Sequence, residues 1–147
     1  MPPRSRLRPP PSLVAACLLG AGVLAGCVTT RTVTYLPDAA QARMSLEEGR
    51  TTLGTFLGVE CTRLREAGRA AATAPVTVLL DAEGRVIGAE LDRSTGDARA
   101  DGLIGAVAAQ LQVAPPAGGR ATLRAGYQCD DAGGVSVTLE RATERAT

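Results

Sequence analysis

Apolar positions change their period several times along the chain, and each change predicts an element. Between Ser45 and Gly68, Leu46, Leu53, Leu57, Cys61 and Leu64 recur at helical spacing. Ser45 with Glu48 three residues later is a capping-box pattern that opens this helix. Gly49, Gly54 and Gly58 lower its helix propensity, so a break into two pieces from Gly58 onward stays open. Pro75 to Asp81 is short and β-branched, as a strand should be. Asp81-Ala82-Glu83-Gly84 is a turn, with Gly84 free to take a positive φ. Arg85 to Arg93 then places Ile87, Ala89 and Leu91 on one face, completing a hairpin.

A second helix is predicted from about Ala98 to Gln112, on the stripe Ile104, Val107, Ala108 and Leu111, and is stopped by Pro115-Pro116. Arg120 to Asp130 alternates again, with Leu123, Ala125, Tyr127 and Cys129 on one face. A turn over residues 131 to 134 leads into a last strand, Val135 to Glu140. The predicted class is α+β: a small antiparallel sheet of three to four strands with two packed helices, in the order α-β-β-α-β-β. Ahead of the domain (45–140), residues 28 to 44 read as a polar tether, in which Val33 and Tyr35 hint at a short strand. Residues 141–147 read as a frayed tail.

The N-terminal region has a different pattern. Arg4, Arg6 and Arg8 precede an uncharged run from Leu13 to Gly26, the layout of a secretory signal. As a helix the run would reach roughly 21 Å, short of the roughly 30 Å hydrocarbon core of a membrane. It closes on Leu24-Ala25-Gly26-Cys27, which resembles the lipobox of bacterial lipoproteins. That resemblance implies removal of residues 1–26 and acylation of Cys27, with more than one chain giving firm attachment. Val28 follows where lipoproteins kept at the inner membrane often have Asp, so the outer membrane is favoured over the inner. An uncleaved anchor and a plain secretory cut are the alternatives.

Cleavage changes the charge. All 16 basic residues are Arg, and without the first three the remainder has 13 against 15 acids, a net of about −2. No basic patch points to nucleic acid. Histidine and lysine are absent, which excludes His-based acid–base catalysis, His metal ligation and a Lys Schiff base. Ser45, Ser94 and Ser136 have no base beside them. Asp97 with Asp101 reads as a helix cap and a first-turn acid more readily than as a metal or acid pair. Asp130-Asp131 reads as a solvated turn rather than a cation site. No catalytic residue, cofactor or metal is expected.

With Cys17 removed and Cys27 acylated, Cys61 and Cys129 are the remaining pair. Both lie on predicted core faces, so in an oxidising compartment they are expected to form a disulfide; two buried free thiols are the alternative. Phe56, Tyr35 and Tyr127 are the only aromatics. A core built largely of Leu, Val, Ile and Ala benefits from such a staple.

Residues about 75 to 130 resemble the TonB C-terminal domain family. The resemblance rests on Asp81-Ala82-Glu83-Gly84-Arg85-Val86, on Asp92-Arg93-Ser94-Thr95-Gly96-Asp97 with Asp101, and on Val113-Ala114-Pro115-Pro116. Thr95, Ala100 and Val113 depart from the family's Ser, Leu and aromatic. The family's energy transducers also carry a spanning helix with a functional histidine and a long Pro-rich spacer, which this sequence lacks, so coupling to an inner-membrane motor is not expected. What the resemblance implies is a partner strand added to an exposed sheet edge. The expected protein is thus a lipid-anchored periplasmic interaction module without catalytic activity. Its partners are the membrane, through Cys27, and an outer-membrane or periplasmic protein bound at the last strand by Val135, Val137 and Leu139. The alternative is a structural envelope lipoprotein with no specific strand-addition partner; an enzyme or small-ligand carrier lacks the side chains it would need.

Overall fold

A capping box fixes the start of the first helix. In the computed structural model, which describes residues 32–143, Ser45 Oγ accepts from Glu48 N–H at 3.1 Å and Ser45 N–H donates to Glu48 Oε2 at 2.8 Å. The helix α1 (Leu46–Glu66) follows a short strand β1 (Thr34–Tyr35). Its end is a Schellman motif: Gly68 takes φ 69°, its N–H donates to Arg65 O, and Arg69 N–H reaches Leu64 O at 2.7 Å. The chain continues through β2 (Ala71–Thr73), β3 (Val76–Leu80), β4 (Val86–Leu91), α2 (Ala98–Ala109), β5 (Gly119–Cys129) and β6 (Val135–Arg141).

The class is α+β, with two helices on one face of an antiparallel sheet of six strands in place of the expected three to four. The additional strands have local causes. β2 and β3 pair with β5 in one continuous register, Thr73 opposite Gly126 and Val76 opposite Leu123. Pro75, which has no N–H, splits what is one line of chain. β1 comes from the expected tether and pairs with β4. The strands therefore run β1-β4-β3-β5-β6 across the sheet, with β2 prolonging β3.

The expected tether of residues 27–44 is correspondingly shorter. From Thr32 onward the chain belongs to the domain. Asp38 N–H donates to the buried Gln110 side chain, whose Nε2 returns to Asp38 O at 3.3 Å. Arg43 donates to Val86 O, and Met44 bridges Leu111. α2 also stops earlier than its hydrophobic stripe suggests. Gln110 caps it, and Leu111 and Gln112 turn aside to bridge Met44 and Arg85, although Leu111 stays fully buried.

Alternation along β4 fails at one residue. Leu79 faces Gly88 but Leu80 faces Val86, so Ile87 is the extra residue of a β-bulge. Val86 is thereby turned into the core, while Ile87, expected beside Ala89 and Leu91, is 49% exposed. α1, by contrast, runs unbroken through all three of its glycines. The core between helices and sheet holds Leu53, Leu57, Leu64, Ile104, Leu123 and Leu139, all essentially sealed from water. Cys61 and Cys129 join within it as a disulfide, S–S 2.12 Å, pinning α1 to the end of β5. Closing a loop of this sequence separation, 68 residues, contributes about 4 kcal/mol in the chain-entropy account. Arg141, expected in the frayed tail, closes β6. The signal segment, Cys27 and residues 144–147 lie outside the described residues.

Candidate functional site

β6 pairs with β5 and, among the described residues, with nothing else, so it is a sheet edge. Its turn is built from the chain's own acids and glycines. Asp130 N–H donates to Gly134 O at 2.9 Å, Gly134 N–H donates back to Asp130 Oδ1 at 2.6 Å, and Gly133 takes φ 85°. Asp130 is thus a turn residue with its carboxylate engaged. From there β6 runs opposite β5 without a shift, Val135 against Cys129 and Leu139 against Ala125.

The hydrogen-bond phase decides which groups are free. The Asp130–Gly134 bond and the bond from Ala142 N–H to Thr122 O, 2.9 Å, lie in this same register. In an antiparallel ladder such bonded positions recur every second residue. Ser136, Thr138 and Glu140 therefore direct their N–H and C=O toward β5. Val135, Val137, Leu139 and Arg141 direct theirs outward. One outward group is occupied: Arg50 Nη2 donates to Leu139 O at 3.2 Å.

The side chains of the same three apolar residues point the other way, onto α1. A Cβ placed on Gly49 would lie 3.1 Å from Leu139 Cδ2, on Gly54 3.7 Å from Val137 Cγ2, and on Gly58 3.5 Å from Val135 Cγ1. Of the three glycines, Gly49 is the one this approach requires, since a Cβ there would also lie 2.6 Å from Leu111 Cδ2, whereas the distances at 54 and 58 are ordinary contacts. Leu139 is buried, and Val135 and Val137 are half-buried. Val135, Val137 and Leu139 thus hold the edge in place with their side chains and offer outward only backbone. The three residues expected to bind a partner have their side chains committed to α1, and Arg50 at the edge was not legible in the sequence, because nothing local marks a contact 89 residues apart.

Opposite the helices, the sheet has a shallow concavity of about 430 Å³ over Gly126, beside β6. Ala71, Thr73, Gln128, Ser136 and Thr138 line it, small or polar side chains with no charged group among them.

The acids near α2 are engaged in structure. Asp97 caps the helix through Ala100 N–H at 2.9 Å and takes two bonds from Arg63, at 2.6 and 2.9 Å. The Arg63 guanidinium and that amide hold its carboxyl well below the usual range. Arg63 is raised in turn by Asp97 and then Glu60, and Glu60 is lowered chiefly by Arg63. Asp101 accepts from Thr95 N–H at 2.8 Å, from the Thr95 hydroxyl and from Ser94 Oγ. Asp101 so closes the Ser94–Asp97 loop onto the first turn of α2. Tyr127 hydroxyl donates to Arg69 O at 2.9 Å, and burial, then the charges of Asp97 and Asp101, push its pKa up. Among the described residues no group of three or more Cys, Asp or Glu side chains is placed to hold a metal ion. No buried side-chain polar atom there lacks a partner. Nor is any described helix long and apolar enough to cross a membrane.

No family model, curated protein or solved structure matches the chain.

Proposed function

We propose that this chain is a lipid-anchored protein of the bacterial cell envelope that acts as a non-catalytic interaction module, held by acyl chains on Cys27 and binding a partner strand along β6. The observation that carries the reading is the state of that edge. The backbone of Val135 and Val137 faces outward without partners among the described residues, while their side chains are fixed on α1. An exposed edge is a template for pairing, and a stiff one costs little ordering when a strand joins it. The lipobox-like Leu24-Ala25-Gly26-Cys27 supplies the address, a periplasm-facing domain at the outer membrane by preference. Arg50 on Leu139 O limits the pairing, so the incoming strand bonds at Val135 and Val137 and stops near Leu139.

The test is photo-crosslinking from position 136 in the intact, lipidated protein in envelope membranes, with and without Val137→Pro. Proline at 137 removes an outward N–H and leaves the β5 ladder intact. One specific crosslinked protein, lost in V137P, is the expected result. Recovery of no specific partner would leave the structural envelope lipoprotein as the better reading. Globomycin treatment tests the anchor separately: it should cause a larger precursor to accumulate.

A further inference from the structure

Three of the six large apolar side chains exposed among the described residues, Leu36, Leu79 and Ile87, gather on one face at a corner of the sheet, and a fourth, Val33, stands at the same corner on the Tyr35 face. Pairing of Thr34 with Glu90 and of Tyr35 with Ala89 sets Leu36 on the Thr34 face and Val33 on the Tyr35 face of β1, both along the outer edge of β4. Across β4, Leu79 stands opposite Gly88, and the bulge residue Ile87 is next to it. A Cβ on Gly88 would meet only Thr34 Cγ2, at 3.9 Å, so the ground between these side chains is low. Leu79 is paired on its other side with Arg120, which is exposed. Neither helix covers the face of Leu36, Leu79 and Ile87, whose acidic member, Glu90, accepts from Thr34 Oγ1 at 2.9 Å.

We infer that this corner rests on the lipid bilayer that holds Cys27, at the boundary of headgroups and acyl chains, so that the domain sits on the membrane by its β1 edge with β6 directed away. The inference rests on the acylated Cys27 of the proposed function. Its ground is the length of chain between that residue and the sheet. Thr34, already paired in β1, is seven residues after Cys27, a reach of about 25 Å at full extension. No slack follows, because Tyr35 packs on Gly105 and Asp38 is tied to Gln110. The β1 edge is therefore held within about 25 Å of the membrane, and the exposed apolar side chains beside it favour that corner for the contact. Arg120 beside Leu79 suits the phosphate level, since its stem is apolar and its head is charged. β6 lies four strand spacings from β1, about 19 Å, on the side left open to the periplasm.

The test uses the full, lipidated protein in vesicles of phosphatidylethanolamine and phosphatidylglycerol, spin-labelled through Thr34→Cys or Thr138→Cys. Cys61 and Cys129 are bridged. The accessibility of each label to oxygen, which concentrates in lipid, is compared with its accessibility to a water-soluble nickel chelate. The expected ratio is several-fold higher at 34 than at 138. With Leu36→Asp and Ile87→Asp together, the ratio at 34 should fall to that at 138 while the vesicles still float with the protein. Equal ratios in the unaltered protein overturn the inference, as does a label at 34 shielded from both reagents, which would mean that a second copy or another protein covers the corner. Failure of the protein to float with vesicles would overturn the anchor itself, and this inference with it.

Discussion

Val137 lies directly over Gly54, its Cγ2 3.7 Å from where a Cβ on that glycine would stand. That is ordinary van der Waals distance, so a methyl group fits at 54, and Gly54→Ala should stabilise the domain by about 0.5–1 kcal/mol through helix propensity. Gly49 differs. A methyl group there would come 2.6 Å from Leu111 Cδ2 and 3.1 Å from Leu139 Cδ2, both sealed in the core. Gly49→Ala should therefore cost about 1–3 kcal/mol, overpacking exceeding the propensity gain. Urea titration of the two variants checks the opposite signs. A stabilised Gly49→Ala would mean that α1 is not held against β6 as described.

Asp97 links stability to acid. Its folded pKa is depressed below the ordinary 3.8, so its contribution is fully present above that value and is lost as pH falls through and below it. Asp97→Asn keeps a capping side chain but removes the charge facing Arg63. The stability difference between the native chain and this variant should be constant above about pH 5 and should shrink steadily below about pH 4. Asp97→Ala should lose the cap as well, about 1 kcal/mol more. Chemical denaturation at stepped pH reads both. A difference that grows toward low pH would show that the Arg63 pair does not depress Asp97.

How much of this was legible in the sequence depends on how local the cause is. The Ser45–Glu48 capping box, the Gly84 turn and the Asp97 cap are written within a few residues, and each stands where the residues put it. The Cys61–Cys129 bridge was expected as the pair left once Cys17 and Cys27 are set aside, with two periodicities that each turned a cysteine inward in support. The edge strand was legible as a strand; its freedom was not, since an edge is a property of the whole sheet. β1 was hinted at by Val33 and Tyr35, but its place in the sheet was not legible, because its hold comes from Gln110, Arg43 and Gly105, far along the chain.

The bulge in β4 makes the same point as a measurement. Strict alternation groups Ile87 with Ala89 and Leu91, yet Val86 is the fully buried one. Val86→Asp should cost more than 3 kcal/mol, a carboxylate in an apolar core with no partner. Ile87→Asp should change stability by no more than about 0.5 kcal/mol, as at other exposed positions. Thermal melts of the two variants decide between the bulged register and an unbroken one, which would reverse the order.

Gly105 decides whether β1 stays on the sheet. The ring of Tyr35 occupies the space where a side chain at 105 would begin, and burial, then the charge of Asp101, raises the Tyr35 pKa. Gly105→Ala must displace that ring. β1 itself makes only two residue pairs, with Glu90 and Ala89, beside the Thr34–Glu90 bond, while Asp38 and Arg43 fix the chain that follows it. Tyr35 is only half-buried, so the global loss should be modest, about 1–2 kcal/mol. The local effect should be larger. Amide exchange at Tyr35 should speed up well beyond what that loss accounts for, while exchange at Val78 and Ala125 should follow global stability alone. Release of β1 also lengthens the tether. With Asp38 still tied to Gln110, the reach from Cys27 grows from about 25 Å at Thr34 to about 40 Å at Asp38. Gly105→Ala should therefore lower the oxygen accessibility of a label at Thr34 in vesicles without detaching the protein. An unchanged exchange rate at Tyr35 would show that β1 is held by something other than the Tyr35–Gly105 contact.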